Sequence, residues 1–414
     1  MKKLLALILG FALAAGAVGY AEAQTIRIGG IGPLSAPGAV VGGIAMQWTM
    51  NLAVKDINEK GGVLGKRLEM IFADTEGLPE RGGAIAERLI NENKVVGIAG
   101  EYHSAVALAV LEVAHKYGVP VLFSETWADK ITETGYPEVF RIAPAASMAA
   151  RYMVDWMADV GVKRVVLVFE NTDYGISTAK AQAPLLQEKG IRLLDTIFIE
   201  MGTADFTPIL TRIKAITPPS DLVSSQAVTG ETSYNLARQM AEMGVAPSKT
   251  TIGIANMVAV APQFWESVPN GSYFVFINPG LPPVLWNDTT KRVAKEYEKV
   301  FKSAIPSYAL EAYDSVWVLA DAIKRARSTD LKAIIAALED TDIVLAQGRY
   351  WFAYGSKRPL PTKEPKYMWH QWTDPPLLVL QYFSAKQPGE KAAVLWPKKY
   401  RTHGVSYIPY GTKP

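Results

Sequence analysis

The chain has 414 residues, too many for one ordinary domain, so two are expected. Hydrophobic residues at 49% and charged residues at 20% are globular values, and the net charge of +3, spread without basic clusters, gives no footprint for nucleic acid or an anionic membrane. With no cysteine, the chain has no disulfide framework, no thiolate metal site, no cysteine nucleophile and no acceptor for a thioether-linked lipid.

The N-terminus carries the most specific local signal. Lys2-Lys3 is a basic start, residues 4–18 form an apolar run, and Ala21-Glu22-Ala23 is a small-x-small cleavage site before Gln24. That pattern is a secretory signal peptide over residues 1–23. The apolar run is short for a membrane anchor, and no later run is long enough to span a bilayer. The expected product is exported, cut at about Ala23/Gln24, and free of a lipid anchor.

Residues 26–31 read as a strand, followed by the loop Gly32-Pro33-Leu34-Ser35-Ala36-Pro37-Gly38. A helix over 43–60 stops at Gly61-Gly62, 67–73 alternate as a strand, and 80–93 form an amphipathic helix. The stretch VVGIAGEYHSAVALAVLEVAHKYGVPVLFSETW, residues 95–127, organises what surrounds it. It reads strand, loop, helix, turn, strand, with Ser104 placed to cap the helix 105–117 and Gly118 to stop it. Two strands joined by a helix make a right-handed parallel unit, and ligands sit beyond the carboxyl ends of such strands. Those ends carry Glu101-Tyr102-His103-Ser104 and Glu125-Thr126-Trp127.

Residues 135–149, with two prolines and small side chains, read as a crossing between domains. The pattern then restarts. Strands are expected at 164–169, 191–199, 222–225, 250–254 and 272–277, with helices at 178–189, 206–216 and 232–243. A second crossing falls at 278–286, helices at 289–302, 309–327 and 331–339 return to the first domain, and late strands are expected at 367–372 and 377–383. The result is an α/β chain of two similar lobes with parallel central sheets. Lobe 1 is expected to take residues 24–143 and 280–348, and lobe 2 residues 144–279 and 349–385. The tail 386–414 is left unassigned.

The sequence offers little for an enzyme. His103, His115, His370 and His403 make no metal-binding pair, and there is no nucleophile elbow, Walker loop or dinucleotide fingerprint. His103 beside Ser104 is the one hint of an exported hydrolase, and a pocket-lining loop explains it more simply. No cofactor and no metal are expected. The loops give a stronger case for binding. They carry Tyr102, His103, Ser104, Ala105, Glu125, Thr126 and Trp127 from the first lobe, and Thr172, Tyr174, Thr229 and Asn256 from the second. These are the hydrogen-bond groups and aromatic wall that a small ligand needs. A carboxylate could rest on the N–H groups that open the helix after Ser104. None of these loops contains an arginine.

The runs IGPLSAPGAVVGG, DINEKGGVLGKRLEMIFADTEG, VVGIAGEYHSAVALAV, VPVLFSETW, FRIAPA, FENTDYGIS and LEAYDSVWVLADAIKRA, in this order, resemble the periplasmic solute-binding proteins for leucine, isoleucine and valine. The resemblance covers residues 26–349. It implies two Rossmann-like lobes joined by three hinge crossings, a small-molecule ligand buried in the cleft, closure on binding, and no catalysis. It further implies the permease and ATPases of an ABC uptake transporter as partners and a periplasmic location. By position, Ser104 and its neighbours match the family's hydroxyl-rich loop for the ligand carboxylate, Thr126 and Trp127 the next contact loop, and Tyr174 an aromatic contact from the second lobe. The sequence departs from the family where Trp127 replaces a small threonine, where Val40-Val41 lack an aromatic, and where Ala255-Asn256-Met257 lack an acid for the ammonium group. Either Glu101, Glu125 or Asp173 takes that role for an amino acid, or the ligand is an amine-free carboxylate or an amide. A ligand-sensing module of the same fold, signalling to a membrane receptor, is the alternative role.

Overall fold

A computed structural model describes residues 25–228, 230–260 and 263–414. The expected signal peptide and Thr229 lie outside the described residues. In the first lobe, strands β1 (Ile26–Gly32), β2 (Leu68–Asp74), β3 (Ile98–Gly100), β4 (Val121–Phe123) and β5 (Val139–Arg141) form one sheet in the order β2-β1-β3-β4-β5, parallel throughout. Helices α1 (Val40–Glu59), α2 (Pro79–Asn91), α3 (Ser104–Tyr117) and the single turn α4 (Lys130–Glu133) connect them. The strands are short and mostly apolar because helices cover both faces. Strand β5 lies inside the stretch expected to be a crossing. The true first crossing is only residues 142–145, which lead into α5 (Ala146–Asp159). Proline and alanine density there hid a three-residue strand.

The second lobe contains β6 (Arg164–Glu170), β7 (Arg192–Ile199), β8 (Leu222–Gln226), β9 (Ile252–Ile254) and β10 (Val275–Pro279). Between them lie α6 (Asp173–Glu188), α7 (Thr207–Ala215), α8 (Gly230–Glu242) and the turn α9 (Phe264–Ser267). The chain then returns to the first lobe as α10 (Asp288–Phe301), α11 (Ser307–Ala326) and α12 (Leu331–Glu339). There Trp48 of α1 meets the rings of Tyr297 and Phe301 edge-on, each with centroids 5.7 Å apart. Helix α11 is buried along most of its length, including its acids Glu311 and Asp314.

A hairpin of β11 (Asp342–Leu345) and β12 (Gly348–Trp351) follows, unforeseen in the sequence. The segment up to Trp372 stays on the first lobe. Tyr350 donates to Asp314 of α11, His370 stacks on Phe140 at 4.1 Å, and Trp369 donates to the Tyr136 carbonyl. The expected strand at 367–372 is a 3-10 turn, Lys366–Met368, followed by isolated bridges. The third crossing therefore falls at residues 373–376, and residues 349–372, expected in lobe 2, pack on lobe 1. Beyond it, β13 (Leu377–Gln381) and β14 (Ala393–Trp396) add antiparallel to the second sheet, whose order is β14-β13-β10-β9-β8-β6-β7. The tail left unassigned is part of this lobe. Beyond β14, the Trp156 indole donates to the Ser406 carbonyl, and Arg401 pairs with Asp159 at 2.5 Å.

Candidate functional site

The carboxyl ends of β3 and β4 face those of β6 and β8 across a cleft. Two glycines let the chain turn sharply there. At Gly100, φ is +112°, and an added Cβ would stand 2.3 Å from the Ile31 carbonyl. At Gly175 it would stand 1.9 Å from the Glu170 carbonyl, so only glycine lets α6 start this close to the end of β6.

The first-lobe loop is held by its own polar side chains. Glu101, with φ +72°, turns inward and accepts the N–H groups of Tyr102 and His103 at 3.0 and 2.9 Å. Burial pushes its carboxyl up to about 7, against those hydrogen bonds. His103 Nε2 accepts the Ala39 N–H at 3.0 Å, which ties this loop to the start of α1. Burial lowers its pKa to about 4, so the ring is neutral. The structure corrects the expected cap. His103 occupies the N-cap position, and Ser104 is the first residue of α3, its Oγ accepting the N–H groups of Trp127 and Ala128, both at 3.1 Å. With His103 Nε2 on Ala39 and Ser104 Oγ on Trp127 and Ala128, the two side chains are set to brace loops rather than to act as base and nucleophile.

A cavity of about 320 Å³ opens between the lobes. Of the expected site residues, Tyr102, His103, Ser104, Ala105, Glu125, Trp127, Thr172 and Tyr174 line it. Trp127 and Tyr174 meet edge-to-face across the cleft, with ring centroids 6.4 Å apart. Tyr102 also borders a second chamber of about 540 Å³, which reaches Val40, Val41, Tyr234 and Tyr308. Two expected residues stand behind the wall. Thr126 is fully buried below the loop, and Asn256 donates at 3.0 Å to the Tyr174 hydroxyl, which also lies 3.4 Å from Gln226 Oε1. Burial pushes the Tyr174 hydroxyl up to about 12.

Sequence reasoning missed Glu170, the last residue of β6. It is buried, accepts the Val228 N–H at 3.0 Å and lines the cavity beside Asp173. Its signal was an acid closing the apolar run of residues 165–169. Also missed were the contributions of Leu78, Pro79, Met201 and Val228. Glu101, one candidate for an ammonium partner, is committed to its own loop. Glu125 and Asp173 remain, joined by Glu170. Among the described residues lining the cavity, none is an arginine or lysine.

The wall also holds a buried acid pair. Glu125 meets Glu311 of α11 in a carboxyl–carboxyl contact, and both are at most 5% exposed. Burial pushes Glu125 up to about 7, and burial together with Glu125 raises Glu311 well above the ordinary carboxyl range. Apart from that contact, Glu125 Oε2 and both Glu311 oxygens have no hydrogen-bond partner among the described residues.

Comparison with known proteins places this architecture. Residues 25–358 match the family described as periplasmic binding protein. A Leu/Ile/Val-binding protein homologue of Brucella abortus is 26% identical over 391 residues, 90% of this chain and 96% of its own length. The fold superposes on the branched-chain amino acid transporter substrate-binding protein LivJ of Streptococcus pneumoniae in complex with isoleucine, with a TM-score of 0.76 and 22% identity over 90% of this chain and all of that one. It also superposes on an ABC transporter solute-binding protein of R. palustris in complex with benzoate, with a TM-score of 0.74 and 19% identity over 92% and 99% of the two chains. The chain belongs to the periplasmic binding protein family and has the two-lobed type I fold.

Proposed function

We propose that this protein captures a small amino acid-like, carboxylate or amide ligand in the interlobe cleft and delivers it to the permease of an ABC uptake transporter. In this reading it works in the periplasm after cleavage near Ala23, without a lipid anchor. The observation that carries the reading is the cavity itself. Both lobes line it, α3 points its N-terminus at it, and Trp127 and Tyr174 face each other across it. The first N–H groups of a helix have no partner within the helix and favour a negative group, so Ser104 and Ala105 suit a ligand carboxylate or carbonyl. Tyr102, Trp127 and Tyr174 form the wall, Glu125 the polar end, and His103, Thr126 and Asn256 hold that wall in place. Thr229 would join it from the second lobe.

The work of such a protein is binding and closure. A ligand that touches both lobes favours the closed arrangement by the contacts available only there. The test is a thermal-shift screen of the mature chain against amino acids, amides, and aliphatic and aromatic carboxylates. A ligand at a hundred times its dissociation constant adds about 2.7 kcal/mol and raises Tm by several degrees. The bound compound should be recovered unchanged. Its conversion, or the absence of a shift with every class, overturns the reading.

A further inference from the structure

Three buried tyrosines show how this protein meets a hydroxyl kept from solvent. Tyr313 donates to Asp56 at 2.7 Å, Tyr350 to Asp314 at 2.9 Å and Tyr382 to the Ala259 carbonyl at 2.9 Å. Three others, around the second chamber of the cleft, are left unmet. Tyr308 of α11 is 3% exposed, Tyr234 of α8 is 8% exposed, and Tyr102 of the loop after β3 is partly buried. Their hydroxyls have no hydrogen-bond partner among the described residues, and burial raises each, so each keeps its proton. None of the three belongs to the sealed-off polar atoms of the protein, so they open on the chamber they line. Water or a ligand must meet a hydroxyl in such a place.

The second chamber belongs to both lobes and joins the first. Tyr102 and Tyr308 come from lobe 1 and Tyr234 from lobe 2, while Tyr102, Met201 and Val228 border both chambers. The rings of Tyr102 and Tyr308 meet edge-to-face at 5.6 Å. Gly42 of α1 leaves room for the Tyr102 ring, because an added Cβ would stand 2.9 Å from Tyr102 Cε2. Much of the remaining wall is apolar, from Pro37, Ala39, Val40, Val41 and Val258. Among the described residues its one charged side chain is Glu231, which is exposed. A compound confined to the first chamber leaves the second, about 540 Å³, and its three hydroxyls to water. A longer compound fills both and takes the place of that water.

We propose that the second chamber is a distal subsite, and that the cleft takes elongated carboxylates or amides carrying a neutral hydroxyl or carbonyl group at the end remote from α3, with Tyr102, Tyr234 and Tyr308 as the residues that select it. This rests on the solute-binding reading and narrows its ligand by length and by the chemistry of its far end. One end of the ligand lies on the N–H groups that open α3, and its body passes Trp127, Tyr174 and Tyr102. Its far group meets the tyrosine hydroxyls, each of which can donate one hydrogen bond and accept others. A second carboxylate at the far end finds no cation, because no described residue of that wall is a lysine, arginine or histidine. A far end with no polar group displaces the water and leaves the hydroxyls unmet, which costs affinity.

The experiment is titration calorimetry on the mature chain with matched probes. 3-(4-Hydroxyphenyl)propanoate beside 3-phenylpropanoate, and L-tyrosine beside L-phenylalanine, differ only in a far hydroxyl. The hydroxylated twin should bind about tenfold more tightly. In Tyr234→Phe and Tyr308→Phe, which keep the rings, that preference should fall to about threefold or less. The readout is a ratio between twins within one variant, so a general loosening of the fold, which weakens both twins, does not imitate it. Equal binding of the twins, preference for the plain twin, or a preference that survives in both variants overturns the proposal and leaves solute binding standing. If none of the four binds, the variants are titrated with the compound of largest thermal shift. A loss beyond about threefold in either variant, with its Tm intact, supports the proposal, and unchanged affinity in both overturns it. Failure of all four probes and of every class in the thermal-shift screen overturns both this proposal and the solute-binding reading.

Discussion

Two buried polar centres in the first lobe show opposite ways of keeping charge out of water. Beneath β4 and β5, Arg141 is fully buried and directs its guanidinium to Gln371, the Ala128 carbonyl and Thr132. Beside it in the fold, His370 stands 2.9 Å from Glu339 Oε1, and the Ser356 N–H donates to the same oxygen at 2.7 Å. Burial alone would raise Glu339, yet His370 and Ser356 hold it down at about 2. Against the cleft, Glu125 and Glu311 are equally buried but have no such donors, and burial raises both. Burial by itself therefore does not say what an acid is for. Its satisfaction does. The completed network ties residues 370–372 to the first sheet, whereas the incomplete one borders the cavity, where a ligand can complete it.

The sharpest way to break this comparison is to open the completed network. Arg141→Met leaves two buried oxygens and the Gln371 amide without a donor. It should cost on the order of 4 kcal/mol in urea unfolding. A loss below about 1 kcal/mol would mean the network relaxes around the gap.

Glu339→Gln should destabilise by roughly 2–3 kcal/mol near neutral pH, after discounting for solvent screening at the edge of the network. A carboxyl held down in the fold adds stability above its unfolded pKa and loses it as pH falls through the folded value. The difference between variant and wild type should therefore shrink between about 4.5 and about 2 in pH-dependent denaturation. A constant difference across that window would contradict the pairing with His370.

Ser104→Ala removes the acceptor of two N–H groups and should cost about 1–2 kcal/mol, with weaker ligand binding besides. An unchanged Tm would show that both N–H groups find other acceptors.

The smallest effect has the opposite sign. A carboxyl raised in the fold makes the native state hold more protons than the unfolded chain, so wild-type stability declines as pH rises above about 4.5. Glu311→Gln lacks that slope and should match or exceed the wild type by up to about 1 kcal/mol at and above neutral pH. A clear destabilisation there would place Glu311 with the satisfied acids.

The lobes were legible because helix period and strand runs alternate plainly. Gly118, with φ +66°, does end α3 as its position suggested. Short elements among prolines were not legible. Strand β5 has three residues, and the hairpin of β11 and β12 has four in each arm, too few for a period to declare itself. The third crossing was not legible, because the partners that decide it lie far apart in sequence. Two contacts decide it: His370 stacks on Phe140 of β5, and the Trp372 indole donates to the Arg349 carbonyl in the hairpin.

At the site, loops at strand ends were readable from chain order alone, which is why eight expected residues line one cavity. Partners distant in sequence were not. Nothing near Glu125 announces Glu311, 186 positions later on another helix, and nothing in Ser104 tells a cap from an acceptor for the next loop.

The central claim is that a ligand is gripped from both lobes at once. Trp127→Ala and Tyr174→Ala, titrated with the ligand identified by thermal shift and checked for intact unfolding, test it most directly. Each variant should weaken binding by about tenfold or more, because each removes one aromatic wall of the cavity. Full affinity in either folded variant would contradict the two-sided grip and leave that residue as packing.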